Sequence, residues 1–223
     1  MNISVFTHTC YSCNKRILDS KDIFCIECFG YLPKTPFSFS DNNIIKDKFK
    51  GIISVIMAGS YLYYNKNEQV KELLNQIKYE NNTQLATDLG KLMGKEYLEI
   101  LKNEIDVIIP IPLHTEKYQL RGYNQAELIA NGLSEVTGIP VMNHVLKRGK
   151  NTISQTKISR ENRFQNVNNA FVIQHPEKIT QKRILLLDDV ITTGATLESA
   201  GLKLVENKIK SLSILTLATA FEL

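Results

Sequence analysis

The sequence lacks several features that would assign it to a special class of protein. Its 223 residues contain no tryptophan, and all four cysteines fall within the first 28 positions. Apolar residues make up 43% and charged residues 22% of the chain, which excludes disordered, collagenous and disulfide-scaffold proteins. No Gly-x4-Gly-Lys-Ser/Thr motif is present, and its absence disfavours a P-loop nucleotidase.

Long apolar runs are also missing. The longest apolar stretches, such as residues 51–59, are far shorter than a membrane span, so we expect no transmembrane helix. No basic region followed by an apolar one opens the chain, so we expect no signal peptide. A cytoplasmic protein is the resulting expectation.

The four cysteines form two Cys-x-x-Cys pairs, Cys10 with Cys13 and Cys25 with Cys28. Tetrahedral zinc binds four thiolates of this kind, and a shell closed by four protein ligands makes the ion structural rather than catalytic. Disulfides or free thiols are the alternative, and a reducing compartment disfavours disulfides. We therefore expect a zinc-ribbon-like module over residues 1–32, which is too short to fold without its metal.

The rest of the chain divides into two portions by its hydrophobic pattern. Residues 33–103 are expected to hold most of a linker over residues 30–50, a strand pair over residues 52–64 that turns near Ala58 and Gly59, and two amphipathic helices within residues 70–97. From residue 104 to residue 223, short apolar runs alternate with helical patterns, which predicts an α/β domain with a mostly parallel sheet flanked by helices. The expected strands are residues 106–113, 140–146, 169–173, 184–187 and 211–218, and the expected helices are residues 126–136 and 196–207.

The segment at residues 183–196 carries the most specific chemistry. An apolar strand pattern ends on two adjacent acids, Asp188 and Asp189, and a short polar loop then opens a helix. Backbone N–H groups and hydroxyls of such a loop can hold a phosphate, while the carboxylates suit sugar hydroxyls or a Mg²⁺ ion. A plain strand end and helix cap is the alternative. The candidate phosphate-binding residues are Thr192, Thr193, Gly194, Ala195 and Thr196.

Positive charge is concentrated in residues 147–163. This stretch holds six basic residues and one acid, a charge of +5 in a chain whose net charge is +4. Arginine is a planar bidentate donor suited to phosphate, so Arg121, Arg148 and Arg163 are candidates for binding pyrophosphate or a nucleic-acid backbone. A solvated surface loop is the alternative. His114 is a further pyrophosphate candidate, with a hydrogen-bonded loop residue as the alternative.

Taken in order, these motifs resemble the ComF family (ComF/GntX group) of competence-related, phosphoribosyltransferase-like proteins. The most specific match is the loop at residues 188–196, which is similar to the 5-phosphoribosyl-1-pyrophosphate (PRPP) loop of type I phosphoribosyltransferases. Residues 110–125 differ from the short, Gly-rich pyrophosphate loop usual in those enzymes. The remaining matches are the cysteine pairs, residues 110–114, 121–125 and 146–148, Thr152, Gln155, Arg163, and residues 166–167 and 170–171.

The resemblance implies a type I phosphoribosyltransferase fold that binds PRPP with Mg²⁺. Asp188 and Asp189 would hold the ribose hydroxyls, residues 192–196 the 5′-phosphate, and the arginines the pyrophosphate. The protein would then transfer the phosphoribosyl group or sense PRPP without turnover. The family's association with natural transformation implies an alternative, a non-catalytic protein that handles single-stranded DNA or serves as an adaptor for the DNA-uptake machinery.

Overall fold

A computed structural model describes residues 8–17, 22–36, 39, 43–64, 68–149 and 170–221. The strands are β1 (His8–Thr9), β2 (Arg16–Ile17), β3 (Met57–Tyr63), β4 (Val107–Pro110), β5 (Leu146–Arg148), β6 (Phe171–Ile173), β7 (Arg183–Ile191) and β8 (Ser211–Thr219). The helices are α1 (Ile26–Gly30), α2 (Ile44–Asp47), α3 (Glu68–Tyr79), α4 (Thr83–Glu96), α5 (Leu98–Glu104), α6 (Thr115–Arg121), α7 (Gln125–Thr137) and α8 (Ala195–Glu206).

The centre of the fold is a four-stranded parallel sheet in the order β3-β8-β7-β4. Its strands are buried on both faces: Leu185 and Leu187 of β7 pack into one apolar core, and Ile184 and Leu186 pack into a second. Continuous apolar runs are the expected pattern for such strands. The predicted α/β class with a parallel sheet is confirmed.

Helices cover the two faces of this sheet. The amphipathic pattern predicted two helices in residues 70–97, and the structure has them as α3 and α4, which pack with α7 over the first core. Apolar residues of α2 and α8 pack over the second core. Because all four strands are parallel, their carboxyl ends share one edge of the sheet, where ligands bind in open α/β folds.

Helices α4 and α7 approach each other closely because glycines stand at their contact. A Cβ atom at Gly132 would overlap the backbone carbonyl oxygen of Thr87, and one at Gly90 would overlap that of Ile129. Neither clash can be relieved by a side-chain rotation, since the opposing atoms belong to the backbone. The two helices would have to separate to admit any larger residue.

We therefore expect a Gly132→Ala substitution to lower the free energy of unfolding by about 1–3 kcal/mol, the usual cost of overpacking a core. Urea denaturation followed by circular dichroism measures the change. The control is Gly30→Ala, because a Cβ at Gly30 has no atom within 4 Å. Equal stability of the Gly132→Ala variant and the wild type would contradict the close contact.

The predicted strand pair over residues 52–64 is wrong. The structure has a single strand, β3, and Gly59 lies within it beside Leu215 of the parallel strand β8. The pattern was misleading because a fully buried strand and a hairpin of two short strands both give an apolar, β-branched run. β3 comes from the portion before residue 104, yet it is an edge of the sheet that the following portion builds.

Two other local predictions need correction. Residues 30–50 were expected to be a linker, but the described part includes helix α2, capped by the Asn43 side chain, with Ile45 and Phe49 buried. The strand expected at residues 140–146 is reduced to an isolated bridge between Ile108 and Val141, followed by the short strand β5. The three-part division of the chain itself stays a prediction.

Among the described residues, no helix combines the length and the apolar character that crossing a membrane requires.

Candidate functional site

The two adjacent acids lie near the carboxyl end of β7, an inner strand of the sheet. The Oδ1 atom of Asp188 accepts a hydrogen bond from the N–H of Asp189 at 2.9 Å, and the Oδ1 atom of Asp189 accepts one from the N–H of Val190 at 2.7 Å. These bonds hold both carboxylates at the carboxyl edge of the sheet. The sequence predicted that the strand ends at residue 187, whereas β7 continues to Ile191, so both acids lie within its last four residues.

Burial and neighbouring charges affect the two acids differently. Burial and the neighbouring Asp189 charge raise the pKa of Asp188 well above its usual value. Asp189 is instead neutralised by an ion pair, in which Lys78 Nζ lies 3.1 Å from its Oδ2 atom. The pair therefore favours a further cation or hydrogen-bond donor at Asp188.

The acids line a cavity of about 240 Å³ together with side chains of opposite charge. Its walls come from the carboxyl end of β7, the segment after β4, the end of α3, α6 with the start of α7, the end of β5, and the start of α8. Three of the predicted ligand residues besides the acids line it: Arg121, Arg148 and Thr196. A cavity with carboxylates on one wall and guanidinium groups on others suits a ligand that has both hydroxyl and phosphate groups.

Arg148 is held firmly at this cavity. Its Nε atom donates to the carbonyl oxygen of Pro112 at 3.0 Å, and its guanidinium group stacks on the buried Phe171 ring at 4.9 Å. Burial lowers the pKa of Arg148, while the Asp188 charge acts in the opposite direction. The antiparallel pair β5–β6 positions both residues, since Arg148 and Phe171 are direct partners in it.

The loop after β7 enters helix α8 through a glycine. Gly194 adopts a φ of +88° at the N-cap of α8, a conformation that favours glycine, and Thr193 Oγ1 accepts from the N–H of Ala195 at 3.4 Å. Thr192, Thr193 and Ala195 are exposed, and none of them lines the cavity itself. The helix α8 begins one residue earlier than the sequence predicted.

Two further predicted ligand residues, His114 and Arg163, are also not among the described residues that line the cavity. His114 precedes α6, and its Nδ1 atom lies 3.9 Å from Glu116, which favours the alternative of a loop residue with a local partner. Arg163 lies outside the described residues. The ends of its segment are nevertheless close, since the N–H of Gly149 donates to the carbonyl oxygen of Ala170 at 2.9 Å.

Sequence reasoning missed four polar residues of the cavity. These are Lys78 at the end of α3, Lys117 on α6, and Asn124 and Gln125 at the start of α7. The Gln125 Nε2 atom is buried and has no hydrogen-bond partner among the described residues. The apolar spacing of α3 identifies the helix but says nothing about Lys78, which lies on its polar side. Lys117 could have been found, because it is a cation within residues 110–125, the segment compared with a pyrophosphate loop.

The four cysteines converge on one point. Their sulfur atoms all lie within 4.8 Å of one another, and Sγ of Cys13 and Sγ of Cys25 are 3.8 Å apart. Four sulfurs about 2.3 Å from a zinc ion form a tetrahedron whose edges are about 3.8 Å long. The donor set and its spacing therefore fit a tetrahedral metal ion.

The thiols also differ in their electrostatics. Burial alone would raise the pKa of Cys10, but backbone N–H groups of Cys25, Cys13 and Ser12 outweigh it and lower the value to about 7. Burial raises the pKa of Cys28 to about 12. A bound dication would favour the thiolate form of all four.

The cysteine cluster is attached to helix α3. Gln69 Nε2 donates to the carbonyl oxygen of Cys28, and Gln76 Nε2 donates to that of Tyr11, each at 3.2 Å. Cys10 and Phe24 are buried in the same apolar core as the inner face of α3. The helix that supports the cluster is therefore the helix that carries Lys78 to the acid pair.

Fold and site together define a phosphoribosyltransferase-type α/β protein with an N-terminal four-cysteine cluster. The sequence model of the family described as phosphoribosyl transferase domain matches residues 75–220. Competence protein F of Haemophilus influenzae is 30% identical over 171 residues, which cover 74% of this chain and 72% of that protein. The chain belongs to the ComF competence family, and it carries a phosphoribosyltransferase domain.

The chain is also similar to other competence and DNA utilization proteins. Competence protein ComFC of Bacillus subtilis is 25% identical over 209 residues, or 93% of this chain and 82% of that protein. DNA utilization protein YhgH of Escherichia coli K12 is 27% identical over 139 residues, and the match spans only 60% of each protein.

Two solved structures are similar to part of this chain. They are the glutamine PRPP amidotransferase from B. subtilis in complex with ADP and GMP, with 19% identity and a TM-score of 0.47, and the allosteric regulatory enzyme of purine biosynthesis, with 20% identity and a TM-score of 0.45. Each match covers 65% of this chain and 30% of the other.

Proposed function

We propose that the protein binds PRPP with Mg²⁺ in the cavity at the carboxyl edge of the sheet and transfers the phosphoribosyl group. The observation that supports this most is the meeting of the Asp188–Asp189 pair, Arg148 and Arg121 around one cavity, beside the start of α8. A ligand with a diol between a phosphate and a pyrophosphate matches this arrangement of charges.

Each part of PRPP has a matching part of the site. The N–H groups and hydroxyls of residues 192–196 would hold the 5′-phosphate at the start of α8. Asp188 and Asp189 would accept hydrogen bonds from the ribose hydroxyls, and Arg148 and Arg121 would neutralise the pyrophosphate. Gln125 Nε2, which has no partner among the described residues, is a further donor at the same cavity.

In this reaction the side chains position the substrate and stabilise the charge that develops on it. The bond from C1 of the ribose to pyrophosphate breaks and a bond to an acceptor forms, with positive charge on the ring in between. Arginines facing the leaving group stabilise its developing charge, and the carboxylates lie on the sugar side. Mg²⁺ would supply further neutralisation of the phosphates.

Isothermal titration calorimetry with PRPP tests the proposal. We expect saturable binding that needs Mg²⁺, and weaker binding of ribose 5-phosphate and of pyrophosphate, because each fills only part of the site. Absence of PRPP binding in the presence of Mg²⁺ would overturn it. Pyrophosphate release with a panel of bases then separates transfer from sensing, since a sensor binds PRPP without turnover.

We propose that zinc is the metal of the four-cysteine cluster and that its role is structural. The support is the all-cysteine donor set, the tetrahedral spacing of the sulfurs, and the closed shell that leaves no position for a substrate.

A second candidate function is the handling of single-stranded DNA in natural transformation, which the names of the competence and DNA utilization relatives favour. The basic stretch at residues 147–163 starts at Lys147 and Arg148, next to the cavity. Binding through such charges should weaken steeply with salt because counterions are released from the strand. A gel shift with a single-stranded oligonucleotide at low and high salt is the test, and no shift at low salt would exclude direct binding.

A further inference from the structure

A second and larger pocket lies beside the acid cavity. Its volume is about 540 Å³, and it opens between the end of α3 with the following turn, and α6 with the segment after it. The two cavities share part of their walls, namely Lys78, Tyr79, Lys117 and Arg121. A ligand in this pocket would therefore lie directly next to the contents of the acid cavity.

The walls of the pocket combine aromatic and cationic groups. The Tyr79 ring is 76% exposed, and Leu120 is 89% exposed. The Arg121 guanidinium lies 5.6 Å from the centre of the Tyr79 ring, so a cation and an aromatic face stand together. Large exposed apolar side chains grouped at a concave surface mark a binding site more often than an inert surface.

The charged residues that line this pocket are all cations. Among the described residues, no acid lines it. Lys78 is already paired with Asp189, whereas neither Lys117 nor Arg121 forms an ion pair with an acid in the part of the chain that the structure describes. The pocket therefore offers two uncompensated cations beside an exposed ring, which is the combination that binds the base and the phosphate of a nucleotide.

We propose that this pocket is a nucleotide site, in which the base stacks on Tyr79 and a phosphate lies on Lys117 and Arg121. It adjoins the PRPP cavity, and Arg121 stands in the wall between them, where it can contact both the pyrophosphate and the nucleotide phosphate. The site goes beyond the proposed function, because it supplies a second ligand next to the first. Free nucleotides and the nucleotides of a single strand present the same ring and phosphate, so the experiment includes both.

The test uses the full chain with saturating Mg²⁺–PRPP and the probe 2-aminopurine riboside 5′-monophosphate, whose fluorescence is quenched when the base stacks. We expect quenching and a rise in anisotropy with the wild type. Tyr79→Leu should weaken binding about 5- to 150-fold, the usual range for losing one base–aromatic stack. Tyr79→Phe should retain binding, since the ring is kept.

The matched control is Tyr31→Leu, because Tyr31 is another tyrosine that is 80% exposed but lies outside both cavities. Unchanged binding in Tyr79→Leu, a loss as large in Tyr31→Leu, or no binding of the probe would overturn the proposal. Complete displacement of the probe by Mg²⁺–PRPP would also overturn it, by placing the nucleotide in the acid cavity instead.

A single-stranded decamer that carries one 2-aminopurine identifies the source of the nucleotide. If the pocket serves a strand, the decamer binds more tightly than the mononucleotide and depends more steeply on salt. If it serves a free nucleotide, the two bind alike, and Tyr79→Leu weakens both in either case. Should PRPP fail to bind in calorimetry, the proposed function falls, whereas quenching that depends on Tyr79 would still support this site.

Discussion

Replacing Asp188 and Asp189 together by asparagine is expected to weaken Mg²⁺–PRPP binding by about 100-fold or more. Each carboxylate would accept hydrogen bonds from the ribose, and hydrogen bonds to a charged group contribute about 1.5–3 kcal/mol each. The variant also leaves Lys78 without its partner, so a cation faces the position where Mg²⁺ would add its charge. Calorimetric titration of wild type and variant with PRPP and Mg²⁺ measures the difference.

The control for this substitution is Asp22→Asn, which removes an exposed carboxylate outside the cavity. Thermal unfolding of each variant shows whether the fold is retained, and asparagine keeps the shape of both side chains. Binding that is equally strong in the double variant would remove the acids from the proposed site. A loss of similar size in Asp22→Asn would show that the effect is not local.

The raised pKa of Asp188 gives this prediction a second readout. Burial and the Asp189 charge favour the protonated carboxyl in the free protein, whereas Mg²⁺ and ribose hydroxyls favour the carboxylate. Binding should therefore release protons. PRPP affinity should rise with pH until the pH exceeds the pKa of Asp188 in the free protein. The heat of binding should depend on the ionisation enthalpy of the buffer. The Asp188→Asn variant should lose that dependence.

The features that the sequence predicted well are those whose chemistry depends on residues close together in the chain. The acid pair, the loop at residues 192–196 and the two cysteine pairs each occupy a short segment, so their spacing alone indicates the site. Lys78 could not be found in this way, because it reaches Asp189 only through the packing of α3 on the sheet. Tyr79 of α3 and Lys117 of α6 likewise line one pocket only because the fold brings these two helices together.

The errors in the fold have a related cause. β3 is paired with β8, about 150 residues later in the chain, and nothing local to residues 52–64 distinguishes a buried parallel strand from a hairpin. In contrast, α8 was predicted to within one residue at each end, since its apolar spacing and the glycine before it are local signals. Local chemistry was readable from the sequence, whereas the pairing of distant segments required the structure.

Removing the metal from the four-cysteine cluster is expected to unfold the N-terminal module. A Cys25→Ser variant loses one of four sulfurs that lie within 4.8 Å of one another. Structural zinc in small modules contributes about 10–16 kcal/mol of apparent binding free energy, comparable to or above the whole stability of an ordinary domain, about 5–15 kcal/mol. We expect one equivalent of zinc in the wild type, a large loss in the variant, and loss of hydrogen-exchange protection in residues 8–17 and 22–36.

The same variant should also weaken PRPP binding, although the cysteines are not placed in the PRPP site. The module contacts α3 through Gln69 and Gln76, and α3 carries Lys78 to Asp189. A Gln69→Ala/Gln76→Ala variant is the matched control, since it removes both contacts and leaves the four thiols in place. If the contacts between the module and α3 link the two sites, the Gln69→Ala/Gln76→Ala variant should keep its zinc, measured by mass spectrometry. Its PRPP affinity should still fall, although less than in Cys25→Ser. Full zinc content and unchanged protection in Cys25→Ser would contradict the metal site, and unchanged PRPP affinity in both variants would contradict the link through α3.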